Sequence, residues 1–227
     1  VVPDEGIESR FDFDHGDSFS VEAMVNPIEL KGYSAILTKG RTSNPGFPSD
    51  NQNWAVRLTS VGGQAGVNFL FRSRAGDHGS ADWHRWTSKE GFVVGSGWHH
   101  VALTYTFGKP ESIRAYIDGN EVKGQWDMGG ATTAPPVVDD DEVWLGSTMG
   151  GHSANSFHGT LDDVALYRTV VPGKIFKSRF KYIPPPLVLP DPHPGVLQVN
   201  MHGPLGSDQS FPNDPGEPLA SWQQSEF

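Results

Sequence analysis

Along most of this chain apolar and polar residues alternate with a period of two, in short segments broken by Gly, Pro, Asn and Asp clusters. The segments SFSVEAMVN (18–26), SAILTK (34–39), WAVRLT (54–59) and GVNFLFR (66–72) set the pattern. Further strands are expected at 92–94, 98–107, 112–117, 121–126, 143–145 and 157–167. About ten short strands at this spacing predict an all-β fold, an antiparallel two-sheet β-sandwich or jelly roll. In IRAYIDGNEVKGQW (113–126) the pair Asp118 and Gly119 supplies the positive φ angles of a tight hairpin turn. Helical spacing occurs once, in VPGKIFKSRFKYI, where Ile175, Phe176, Phe180 and Ile183 predict one short helix near 173–182.

The pattern ends there. Ten of the 35 residues from Pro184 to Pro218 are proline, which excludes a central strand except in the proline-free stretch 195–203. The chain is therefore divided into a domain at 1–183, a stiff Pro-rich linker at 184–194 and a C-terminal extension at 195–227. The extension is too short for its own core. It is expected to be a tail laid on the sandwich or the first strand of a following domain.

Composition narrows the function. The 227 residues include 7 Trp and 13 Phe, large units of buried area for a core. With 17 basic and 27 acidic side chains the formal charge is −10, which repels a phosphate backbone and argues against nucleic acid as a partner. The absence of cysteine removes thiol catalysis, thiolate metal sites and disulfides together. No apolar run approaches the ~18 residues of a transmembrane segment. The chain starts at Val1 and is read as part of a larger, multidomain protein.

Six ordered stretches carry a family likeness: SFSVEAMVNP (18–27), ILTKG (36–40), GSGWHHVALTY (95–105), IRAYIDGNEVKG (113–124), VWLGS (143–147) and FHGTLDDVALYRTVVP (157–172). Together they resemble the concanavalin A-like, laminin G-like family over roughly residues 10–183. The resemblance implies a jelly roll of one concave and one convex sheet, with the first strand beside GTLDDVALY. It also implies that Trp98, His99 and His100 form the entry to a core strand, Trp98 at the sandwich edge and the histidines bracing turn or backbone groups. A metal held by both histidines is excluded, since adjacent strand residues point to opposite faces.

Several places could carry chemistry. The acidic run DDDEVWLG puts carboxylates at 139–142, a candidate acid and base pair for glycoside cleavage. The Glu-x-Asp-x-x-Glu signature of jelly-roll glucanases is missing, however, so the run is expected to solvate its loop. Pentraxins share the jelly roll and bind calcium through acidic residues after an LG strand end. Here that place reads LGSTMGGHSANSF, and Ser147, Thr148 and Met149 offer no carboxylate. Asp162 and Asp163 are a candidate pair for one structural Ca2+, the alternative being that Asp162 caps a bend. The segment 72–91 sets Trp83 and Trp86 among Arg72, Arg74, His78, His84 and Arg85. Flat apolar faces beside forked donors suit a sugar ring or an acidic glycan. The alternative is that the tryptophans pin a long hairpin to the sheet. The polar stretch 41–54 reads as an ordered loop. No P-loop, HExxH, GxSxG, dinucleotide fingerprint or N-glycosylation sequon is present.

The expected function is a non-catalytic binding or adhesion module of an extracytoplasmic protein, secreted, periplasmic or at the cell surface. Its ligand would be a glycan or a protein, recognised through rim loops. A polysaccharide hydrolase or lyase on the same scaffold is the alternative, and a structural spacer is the third reading.

Overall fold

A computed structural model describes residues 1–4, 6, 9–42, 51–74, 82–148, 154–180 and 220–222. Twelve strands and one helix follow in order: β1 (Ser18–Glu29), β2 (Tyr33–Thr42), β3 (Asn51–Val61), β4 (Gln64–Arg72), β5 (Trp83–Phe92), β6 (His99–Thr106), β7 (Lys109–Ile117), β8 (Asn120–Val122), β9 (Gly124–Met128), β10 (Val143–Leu145), β11 (His158–Tyr167), α1 (Gly173–Phe180) and β12 (Ala220–Trp222). The first sheet runs β12-β11-β1-β6-β7-β8 and the second β10-β2-β3-β4-β5-β9, with antiparallel neighbours throughout. This is the expected two-sheet sandwich, and β1 does lie beside β11.

Alternation builds the core. Phe19, Val21, Ala23 and Val25 of β1 face Trp54, Val56 and Leu58 of β3 and Val67, Phe69 and Phe71 of β4, all at most 2% exposed. Burying each of the large side chains contributes about 1.5–3 kcal/mol. An aromatic knot of Phe13, Phe19, Phe69, Phe71, Tyr105 and Phe107 fills one end, with ring centroids 5.1–6.3 Å apart. The gap among Val21, Ile36, Val56, Val67 and Val101 is too small to admit water. A ligand must therefore use an outward face or a rim.

Two elements differ from expectation. Residues 83–91, where no strand was expected, form with Phe92 the strand β5 that joins β4 to β9. The expected strand 121–126 is two strands, β8 in the first sheet and β9 in the second, with the chain crossing between sheets at Lys123. The hairpin turn is as read, with φ of 52° at Asp118 and 70° at Gly119. Of the C-terminal extension, Ala220–Trp222 pairs with Val164, Ala165 and Leu166 on the outer edge of β11. The Pro-rich linker at 184–194 lies outside the described residues.

Helix α1 covers the outward face of the first sheet. Val171, Ile175 and Phe176 pack there with Ala102, Tyr116, Ala165 and Tyr167. Gly119 lets the helix approach its turn: a Cβ there would stand 2.6 Å from the Lys177 Cα.

Candidate functional site

Strand β5 distributes the predicted ligand-binding residues between two faces. Trp86 enters the core and lies over Gly124, where a Cβ would come within 2.1 Å of its ring. His84 also points inward, its ring tilted against Phe71 at 5.2 Å, with Nδ1 2.9 Å from the Gly130 carbonyl and Nε2 3.1 Å from Ser73 Oγ. Trp83 and Arg85 face outward. Arg72 lies over the Trp83 ring at 5.7 Å and 3.8 Å from Asp82. Arg74 turns away to Asp14, at 2.8 Å, and to the Pro136 carbonyl. His78 lies outside the described residues. The structure thus brings Arg72 and Trp83 together and keeps Arg85 on their face, while His84 and Trp86 belong to the interior.

The outward face of the second sheet adds residues that sequence reasoning missed. Register places Ala35, Arg57, Asn68, Thr87 and Gln125 side by side across five strands. Arg57 donates through Nε and Nη2 to Asn68 Oδ1 at 2.9 and 2.6 Å, and Asn68 Nδ2 donates to Thr87 Oγ1 at 2.8 Å. Tyr33 stands over this row, 4.2 Å from the Arg57 guanidinium and 5.4 Å from that of Arg85, which also donates to its hydroxyl. Arg85 is further held by Asp127 at 2.7 Å. Burial weakens its charged form, but Asp127 and Tyr33 outweigh that and raise its pKa. The available signal was a charged or amide residue at an outward position of an otherwise apolar strand, as in WAVRLT and GVNFLF.

The acidic run behaves differently from expectation. Asp139 and Asp141 do not solvate their loop; they are 0% and 1% exposed. The buried Lys39 ammonium lies 3.1 Å from Asp4, 3.0 Å from Asp12 and 4.0 Å from the Asp139 carboxylate, and donates to the Asp139 carbonyl at 2.7 Å. Burial, with the nearby Asp4, outweighs Lys39 and pushes the Asp12 pKa up to about 6. Glu142 accepts a bond from the Trp144 indole. The run therefore closes a rim of the sandwich.

Asp162 and Asp163 sit at a bulge, where register shifts opposite Ala23 and Asp163 takes φ of 47°. Asp162 Oδ1 accepts the Asp163 amide at 2.9 Å, the geometry of a capped bend. Among the described residues no group of three or more His, Asp or Glu side chains is arranged to hold a metal.

The two histidines point to opposite faces. His99 stacks on Phe92 at 4.1 Å and bonds Asp118 Oδ2 and Ser96 Oγ, each at 2.8 Å. His100 faces the helix side, its Nε2 3.0 Å from Glu22 Oε2. Glu22 also accepts from the Tyr167 hydroxyl, at 2.8 Å, and from Arg179 of α1. Burial alone would raise the Glu22 pKa, but His100, Arg179 and Tyr167 reverse this and hold it below the ordinary value.

With this geometry in hand, comparison with known proteins gives the class. The family model described as Concanavalin A-like lectin/glucanases superfamily, Laminin_G_3, matches residues 6–173, and the chain belongs to that family. Among solved structures it is similar to the CBM40 module of Ruminococcus gnavus IT-sialidase bound to α2,3-sialyllactose, with 17% identity over 78% of this chain and 93% of that one and a TM-score of 0.51. It is similar also to a heptameric SAP-like pentraxin from Limulus polyphemus (14% identity, 78% of each chain, TM-score 0.48). A third similar structure is Trypanosoma rangeli sialidase, matched over 72% of this chain but 22% of that one (19% identity, TM-score 0.44). At these identities the likeness shows the shared fold. No curated protein matches the chain.

Proposed function

We propose that this chain is a glycan-binding module of a larger extracytoplasmic protein, and that it binds on the outward face of its second sheet. The observation that carries the reading is the half-buried trio Tyr33, Trp83 and Arg85 on one face, with Tyr33 and Arg85 seated on the buried Arg57 and Asn68 and the row running out through Thr87 to the exposed Gln125. Sugar rings pack C–H faces on aromatic rings, while their hydroxyls and carboxylates take directed bonds from amides and guanidinium groups. On the described part of this face the carboxylates of Asp82 and Asp127 each face an arginine. Glycoside cleavage instead needs two carboxyl groups flanking a bond, one of them kept protonated. The likeness to the Ruminococcus module, solved with a sialylated sugar, supports a glycan as ligand. Among the described residues no helix is long and apolar enough to cross a membrane.

The test is an array of neutral and acidic oligosaccharides probed with the full chain, alongside an assay for reducing ends and unsaturated products. Retention without product, lost in Tyr33→Ala and Arg85→Ala, is expected. Glycan cleavage, or a silent array, overturns the reading.

A further inference from the structure

The β5–β6 loop and the β7–β8 turn meet at one rim, where three side chains fall in line. Ser96 Oγ is 2.8 Å from His99 Nε2, and His99 Nδ1 is 2.8 Å from Asp118 Oδ2. A carboxylate only accepts, so Nδ1 carries a ring proton, and Nε2, when it holds none, can accept the Ser96 hydroxyl in place of the Val93 carbonyl. We infer that Ser96, His99 and Asp118 form a hydroxyl–imidazole–carboxylate relay that makes Ser96 a nucleophile toward small, unhindered acyl esters.

Each member is held by something other than the relay. The His99 ring is fixed in plane by stacking on Phe92. Asp118 presents Oδ2 to the imidazole because its Oδ1 accepts the His100 amide at 3.0 Å. Ser96 is exposed, between Gly95 and Gly97 with φ of 79° and 105°, and a Cβ built on either glycine meets nothing within 4 Å. The flanking backbone thus carries no side chain that could crowd the exposed serine. Among the described residues the Gly97 amide donates to no backbone carbonyl, leaving one donor beside the nucleophile for a developing oxyanion. The Ser96 hydroxyl has a second acceptor, the Val93 carbonyl, and the relay operates when its proton is on the His99 side. This assignment is independent of the glycan reading, which concerns another part of the molecule.

The chemistry balances without a cofactor. Ser96 Oγ adds to the ester carbonyl as its proton passes to His99 Nε2. The carbon–oxygen bond to the alcohol breaks and the alcohol leaves with that proton. Water then adds to the acyl carbon, giving a proton to His99, and the acid departs as Ser96 recovers it. Asp118 orients the imidazole and stabilises its charged form, as a positioning residue.

The probe is an alkyl fluorophosphonate, which a nucleophilic serine displaces at phosphorus with loss of fluoride. It is incubated with the full chain and the adduct mapped by peptide mass spectrometry. Labelling at Ser96 is expected, absent in Ser96→Ala and slowed about 100-fold in His99→Gln, the scale of a lost general base. Asp118→Asn keeps a residue that tolerates positive φ and so keeps the turn. It should slow labelling at least about 10-fold while melting near the parent temperature. No adduct at Ser96 in the parent chain, or equal labelling rates in His99→Gln, overturns the relay and leaves these contacts as a brace between loop and turn.

Discussion

Each sheet sets a polar residue at the middle of its outward side, Glu22 in the first and Arg57 in the second, and the two are treated differently. Over Glu22 the chain lays α1, whose Arg179 joins His100 and Tyr167 so that one carboxylate answers three donors from three elements. Beside Arg57 the partners come from the sheet itself and from Tyr33 at its margin, and the row runs on to the exposed Gln125. The alternation that produced both faces is the same. A covering helix turns polar residues into a clasp between elements, whereas Arg57 and Asn68, no less buried than Glu22, tie neighbouring strands of one sheet together and seat the half-buried Tyr33 and Arg85 above them.

The sharpest way to break the comparison is Glu22→Ala. It strands Arg179 and His100 beneath the helix, and a loss of about 3–5 kcal/mol is expected in urea unfolding. A loss under about 1 kcal/mol would mean that α1 is held by its apolar contacts alone.

Protonation gives a graded version. The Glu22 pKa is below its ordinary value in the folded state, so its contribution is present above the unfolded pKa and is lost as pH falls through the folded one. Asp12 runs in the opposite sense. Its folded pKa of about 6 exceeds the unfolded value of 3.8, so the folded state binds the proton more tightly and stability falls as pH rises from about 4 to 6. Melting curves across that window should show Asp12→Asn gaining on the parent chain as pH increases. A parallel offset at every pH would remove Asp12 from the account.

The smallest effect on stability is expected on the second sheet. Arg85→Ala removes a partly exposed pair with Asp127 and should change unfolding by less than about 1 kcal/mol. If the face binds, retention on the glycan array falls while the melting temperature hardly moves. A large drop in melting temperature would instead make Arg85 part of the scaffold, like Arg179.

The sandwich was legible because alternate positions of β1, β3 and β4 carry the large apolar side chains that face the other sheet, although both faces of β3 and β4 are largely buried. Strand β5 was not, because WHRWTSKE has polar residues on both faces and its two tryptophans, three apart, fall on opposite sides. The passage at Lys123 was hidden for a related reason: GNEVKGQW keeps alternating while the chain changes sheets. Trp83 and Arg85 could be singled out as surface chemistry, but their neighbours Tyr33, Arg57 and Asn68 come from strands 15 to 50 residues earlier in the chain. Register alone unites them. The burial of Asp139 was equally invisible, since its cation, Lys39, lies 100 residues away. The likeness to the laminin G-like family pointed to histidines that brace turn or backbone groups; His99 does reach Asp118 of the turn, while His100 reaches the Glu22 carboxylate. It could not place Ser96 on one of them.

Gly119 has an implication for how the helix is seated. The turn it completes is also the seat of α1, with no room for a side chain between them. The helix therefore sits on two supports, the apolar face made by Ala102, Tyr116, Ala165 and Tyr167 and the bare backbone of this turn. A bulkier residue at this one position would leave the two sheets standing and push the helix off its seat.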